Sequence, residues 1–203
     1  LKILIDKYQM IERVNPVFSK DHGRKARYQI TDNFLAAWLA AIARNVQLAR
    51  VRPVNEAIAR ADESLKTHEG YAFETMVRLI LEECSRKNVG DFSLTQLVRG
   101  YWNKPDGTDI EIDVVAINDI DKVIRVGSCK RSASKHDTTS LYKFNEHIER
   151  FKKTELGKKY SDWTVERALY APVFDERQRN TLTNEGYICV DMDDFDQWLS
   201  LAK

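Results

Sequence analysis

The chain has 203 residues, of which 43% are hydrophobic and 31% charged, and its net charge is +1. That is the composition of a soluble globular protein, long enough for one compact domain or for a domain with a smaller attached module. No run of about 18 apolar residues occurs, which excludes a membrane-spanning helix. The first residues, Leu1-Lys2-Ile3-Leu4-Ile5-Asp6, carry neither an initiator Met nor the order of a signal peptide, and they read as a fragment that begins inside a larger protein. Cys84, Cys129 and Cys189 are odd in number and far apart. They argue against a disulfide framework or a Cys-x-x-Cys metal site and for a reducing cytoplasm.

In chain order, residues 1–8 read as the end of a helix. Met10 to Val17 and Arg27 to Ile30 flank the polar turn Ser19-Lys20-Asp21-His22-Gly23, the pattern of a hairpin. Thr31 or Asp32 then caps a helix through Phe34, Leu35, Trp38, Leu39 and Ile42. A helix followed by a basic-tipped hairpin is the second half of a winged helix, whose wing, here Lys20, Arg24, Lys25 and Arg27, can touch phosphate. A solvated hairpin that only packs domains together fits equally well. Residues 1–60 hold eleven Lys/Arg against five Asp/Glu, so +6 here and −5 in the remainder, a distribution that points weakly to nucleic acid.

Residues 46–66 read as a polar helical connector broken only by Pro53. Gly70-Tyr71-Ala72-Phe73-Glu74 then opens a helix to about Arg86, with Glu74, Val77 and Leu81 on one side. Strands are expected at Leu97–Asn103, Glu111–Ile117 and Val123–Cys129. A helix from about Thr138 to Lys153 carries a stripe of Leu141, Phe144, Ile148 and Phe151. A strand at Arg167–Ala171, a helix near Glu176–Glu185 and a strand at Tyr187–Asp191 follow. The run Asp191-Met192-Asp193-Asp194 caps a last helix from Phe195 to Leu201. This order implies an α/β (α+β) fold, a mixed sheet flanked by helices.

Two neighbouring strands carry the chemistry. Strict alternation puts Asp109, Glu111 and Asp113 on one face and Ile110, Ile112 and Val114 on the other; in the next strand Val126, Ser128 and Lys130 line up. An acid beside a lysine on otherwise buried strands is expensive unless it binds a metal or does chemistry.

A helix glutamate, a strand aspartate and a following strand ending in lysine resemble the PD-(D/E)xK nuclease superfamily. More narrowly, Arg27 to Phe34 and Trp38, Gly70-Tyr71-Ala72-Phe73-Glu74, Gly100-Tyr101-Trp102, Glu111 to Ala116 and Gly127-Ser128-Cys129-Lys130 resemble the C-terminal region of archaeal-type P-loop ATPases found in archaea and bacteria. The resemblance implies a restriction-endonuclease-like sheet at residues 67–203, a helical connector at 46–66 and a partial winged helix with its following helix at 1–45. It also implies a cytoplasmic protein that binds DNA and an upstream ATPase module on the same polypeptide. ATP enters only through that module, since no glycine-rich phosphate loop occurs here. Carried over by position, Glu74, Asp113 and Lys130 are the catalytic candidates. Asp113, Glu111 and Glu74 are the candidate ligands of Mg²⁺ or Mn²⁺, and Arg131 and Lys135 extend a basic rim.

Ser128 departs from the pattern, because it stands where that superfamily usually has an acid, and a hydroxyl is a poorer Mg²⁺ ligand than a carboxylate. Three functions follow: a Mg²⁺-dependent phosphodiesterase, a non-catalytic DNA-binding or regulatory module with Asp113 and Lys130 as an ion pair, or a protein-interaction scaffold. His136, in the loop after the lysine strand, is expected to be solvated or to touch phosphate. Tyr101 and Trp102 are expected in the core, with base stacking as the other use of such residues.

Overall fold

A computed structural model describes residues 1–19, 25–104 and 109–202. The chain divides into one unit of residues 1–15 and 26–72 and another of residues 16–25 and 73–203.

In the first unit a short helix α1 (Lys2–Asp6) precedes two antiparallel strands, β1 (Ile11–Val14) and β2 (Arg27–Ile30). Ile11 pairs with Ile30 and Val14 with Arg27. Asp32 is the cap of α2 (Asn33–Ala37), its carboxylate accepting from the Leu35 amide at 2.6 Å. The chain continues through a π-helical turn at Trp38–Ile42 and α3 (Ala43–Leu48). Residues 49–53 break the expected connector, and a 33-residue helix α4 (Val54–Arg86) follows, beginning in this unit and ending in the other. Gly70 does not start a helix; it lies inside α4. A glycine there costs about 1 kcal/mol relative to alanine, which a long helix with a packed end tolerates.

The second unit is built on a five-stranded mixed sheet in the order β3 (Arg99–Trp102), β4 (Glu111–Asn118), β5 (Val123–Cys129), β6 (Thr164–Tyr170), β7 (Ile188–Val190). The first three strands are antiparallel neighbours, and β5, β6 and β7 are parallel. Parallel neighbours need crossovers, supplied by α5 (Thr138–Lys152) with the short α6 (Glu155–Lys158), and by α7 (Glu176–Asn184). A last helix, α8 (Met192–Ser200), is capped by Asp191 through a reciprocal capping box with Asp194. On one side of the sheet Ile112, Val115 and Ile117 pack with Phe144, Ile148 and Phe151 of α5 and Leu182 of α7. On the other, Val114, Ala116 and Tyr170 pack with Phe73, Val77 and Leu81 of α4 and Phe195 of α8. The mixed sheet flanked by helices is the fold class read from the sequence. The three cysteines are buried as free thiols, and no helix of the described residues is long and apolar enough to cross a membrane.

Gly127 is fixed by close packing. A Cβ there would lie 2.6 Å from Cε2 of Tyr170, a fully buried ring, and 3.1 Å from Cβ of Val114. Gly127→Ala is therefore expected to destabilise the protein by about 1–3 kcal/mol through overpacking; a thermal unfolding midpoint equal to that of the parent would refute this packing.

Candidate functional site

The site is set by an irregularity in β4. Tyr101 pairs with Ile112, but Arg99, two residues earlier on β3, pairs with Val115, three residues later on β4. One extra residue is absorbed, so Asp113 and Val114 together stand opposite Gly100, a β-bulge. Alternation therefore fails where the sequence reading extended it. Ile112 and Val115 belong to the α5 side of the core, whereas Val114 belongs to the α4 side. Val114 does not share a side with Ile110 and Ile112.

The bulge places Asp113 among groups from three elements. Its Oδ2 accepts from the Cys129 amide at 2.8 Å and from the Ser128 hydroxyl at 3.4 Å. Arg78, one turn after Glu74 on α4, donates through Nη1 to the Asp113 carbonyl at 3.2 Å and through Nη2 to Thr75 Oγ1 at 3.4 Å. Gly100 leaves room for it, since a Cβ there would come within 3.2 Å of that Nη1. Lys130, immediately after β5, is half-buried, and its backbone amide donates to the Tyr170 carbonyl at 2.9 Å.

Burial and neighbouring charge shift the acids of this corner. Burial, and then the charge of Asp113, push the Glu74 carboxyl up to about 8, against the pull of Arg78 and Lys130. Burial also raises Asp113, opposed by Lys130 and by the Cys129 N–H. The Cys129 thiol is driven well above its ordinary value by burial and by Asp113, which makes it inert as a nucleophile. Near neutral pH Glu74 thus holds a proton, and Asp113 lies in the field of two cations, Lys130 and Arg78.

The structure brings Glu74, Glu111, Asp113 and Lys130 into one corner and adds Arg78, which the sequence reading missed. Its signal was its position four residues after Glu74, on the same helix face. The acids feel one another's charge, yet among the described residues no three His, Cys, Asp or Glu side chains are grouped so as to hold a metal ion. Carboxylates suit Mg²⁺ or Mn²⁺ chemically, but Asp113 Oδ2 is engaged by an amide and a hydroxyl, and the two cations already offset the charge. As arranged, the residues do not form a metal cage.

The remaining candidates lie on separate segments of the chain. Arg131 and Lys135 are exposed on the loop after Lys130. Lys25 is exposed, and its carbonyl accepts from Trp102 Nε1 at 2.6 Å. Arg27 lies in β2 opposite Val14. Lys20 and Arg24 lie outside the described residues. Tyr101 and Trp102 are buried, as expected of core aromatics. His136 is not solvated. It is 4% exposed, lies near-parallel to Phe174, and holds Nε2 3.1 Å from the Tyr170 carbonyl.

Among known proteins, the chain is 30% identical over 125 residues to an uncharacterized protein of Methanocaldococcus jannaschii, MJECL04; the match takes in 60% of this chain and 26% of that protein. The chain thus spans about a quarter of that relative's length. No solved structure matches it. Residues 38–141, half of the chain, match DUF234, described as archaea bacterial proteins of unknown function, and they run from the π-helical turn through Glu74, Asp113 and Lys130 into α5. The chain belongs to that family.

Proposed function

We propose that residues 73–203 form a nuclease-derived module that contacts the DNA backbone without cutting it, as a regulatory part of a longer P-loop ATPase polypeptide. The observation carrying this reading is the internal neutralisation of the acid cluster. Arg78 and Lys130 stand among Glu74, Glu111 and Asp113, and Ser128 supplies a hydroxyl where a nuclease would hold a second acid. A cluster that offsets its own charge has little call on a divalent ion. The length of the M. jannaschii relative, about four times the matched share, supports a longer polypeptide.

A second reading, a Mg²⁺- or Mn²⁺-dependent phosphodiesterase, is favoured by one specific observation: Glu74, Asp113 and Lys130 meet from the helix and strands that the superfamily uses. Incubation with supercoiled plasmid and either ion separates the two. The module reading expects no nicking, together with duplex binding that weakens steeply with salt. Nicking that disappears in both Lys130→Ala and Asp113→Ala would establish the hydrolase instead. Absence of both nicking and binding would leave a scaffold that packs against the ATPase.

Ser128→Glu is the sharper probe. A fourth acid in this buried corner should lower stability by about 1–3 kcal/mol in chelator. Mn²⁺ should then raise the unfolding temperature of the variant while leaving that of the parent unchanged. Equal responses to Mn²⁺ would show that position 128 does not decide metal binding.

A further inference from the structure

A second concavity lies in the same unit, towards the start of β5, whereas the acid corner lies at its end. It is a pocket of about 410 Å³ on the α5 side of the sheet, within the size range of small-molecule sites. Its floor belongs to the core: Ile124 and Val126 of β5 and Ile148 and Phe151 of α5, none more than 3% exposed. Half-buried Tyr160, Trp163 and Val165 complete the apolar wall.

Protein interiors seldom leave a space of this size between packed side chains. Water is a poor occupant, because an ordered water needs several polar partners and the side chains of the floor have none to give. An apolar cavity of about 150 Å³ stays dry and takes benzene; this pocket has room for a larger ring system.

Its wall is set before any guest arrives. A Cβ on Gly157, which also lines the pocket, would run into the Phe151 carbonyl and the Lys152 Cα, so α5 and α6 meet in close backbone contact. Thr154 closes that turn, its Oγ1 donating to the Phe151 carbonyl at 2.7 Å and accepting from the Gly157 amide at 3.0 Å. Tyr160 meets Trp163 edge to face with ring centres 4.8 Å apart. Phe18, outside the lining, packs on Tyr160 at 5.1 Å and lies near-parallel to Phe151 at 6.4 Å. Rings already held in this way lose little freedom when a guest packs on them. Among the described residues of the lining only Lys152 is charged, and its Nζ donates at 2.7 Å to Glu149, which lies outside the pocket. A charged guest would give up its water there without a free counter-ion.

We infer that this pocket binds an uncharged, flat aromatic molecule of about two fused rings. Apolar contact with Ile124, Val126 and Ile148 removes the guest from water, and ring packing on Phe151, Tyr160 and Trp163 fixes its orientation.

Indole is the probe, added to the whole chain carrying ¹³C-labelled Ile and Val methyl groups. It should shift the methyls of Ile124, Val126, Ile148 and Val165 saturably, with a Kd of about 1 mM or below. Val77 and Val114, which pack on the other side of the sheet, should not move. Indole should bind more tightly than indole-3-acetate or tryptamine, its anionic and cationic relatives, by about fivefold or more. Val165→Phe places a ring in the pocket wall and should weaken indole by about tenfold or more, with the Val77 and Val114 methyls unchanged. Should that variant fail to fold, Trp163→Ala removes a wall ring and should weaken indole by about fivefold or more. Shifts that do not saturate, equal movement of Val77 and Val114, tighter binding of either charged relative, or unchanged affinity in the variants would each overturn the inference. The result is independent of plasmid nicking and should survive Asp113→Asn.

Discussion

Arg125→Met is expected to remove about 3–5 kcal/mol of stability, the usual consequence of breaking a buried ion pair from one side. Arg125 lies at the centre of the sheet on β5 and is only 2% exposed. Its Nε donates to Glu166 at 2.7 Å and its Nη1 to Asp91 at 2.8 Å, while the guanidinium lies 4.7 Å from the Phe92 ring centre. Burial works against its charge, but the hydrogen bond to Asp91 and the neighbouring acids outweigh that and hold it firmly protonated. Methionine matches the apolar stem but leaves two carboxylates beside a core that no longer neutralises them. Urea denaturation at neutral pH checks this. A loss under 1 kcal/mol would mean that Asp91 and Glu166, each about one-third exposed, rehydrate freely. Pairing the change with Glu166→Gln and Asp91→Asn should recover part of the loss, as removing uncompensated charge does.

Glu74→Gln should act in the opposite direction. In the unfolded chain this carboxyl loses its proton near 4.5, and in the folded chain only near 8. Between those values the folded state binds more protons, so stability falls as pH rises. The contribution is intact below the ordinary carboxylate value and is lost as pH climbs through about 8. By pH 9 the ionised Glu74 costs roughly 2–4 kcal/mol, allowing for its coupling to Asp113. Glutamine removes that penalty, so the variant should match the parent near pH 4 and exceed it increasingly towards pH 9. Parallel stability curves over that range would refute the burial of Glu74 beside Asp113. Loss of DNA binding alongside the gain in stability would fit a residue kept for function at the expense of the fold.

The elements of the second unit were largely legible because their periods are clean. The stripe from Leu141 to Phe151 makes α5, and the run from Glu111 to Ile117 makes β4. Asp32 and Asp191 announce helix starts by local side-chain chemistry alone. What was not legible depends on partners remote in sequence. The bulge at Asp113 exists because of the register with Gly100 and Tyr101, which no single-strand pattern encodes. His136 looked like a loop histidine because nothing nearby in sequence announces the Tyr170 carbonyl or the Phe174 ring that bury it. Arg78 was missed because its remote partner, the Asp113 carbonyl, is fixed only after the sheet forms. Gly70 read as a helix start because punctuation residues carry more weight in a short window than in a 33-residue helix.

The bulge also uncouples two histories within one strand. On the side of Ala116 and Ile117 every position is locked into packing, and substitution there disturbs both layers. On the side of Glu111 and Asp113 the extra residue absorbs the change of phase, so charge and hydroxyl content can vary without repacking the core. A substitution at position 113 or 128 is therefore felt in the hydrogen bonds of that corner, while the register of the sheet is held by Ala116 and Ile117 against β5.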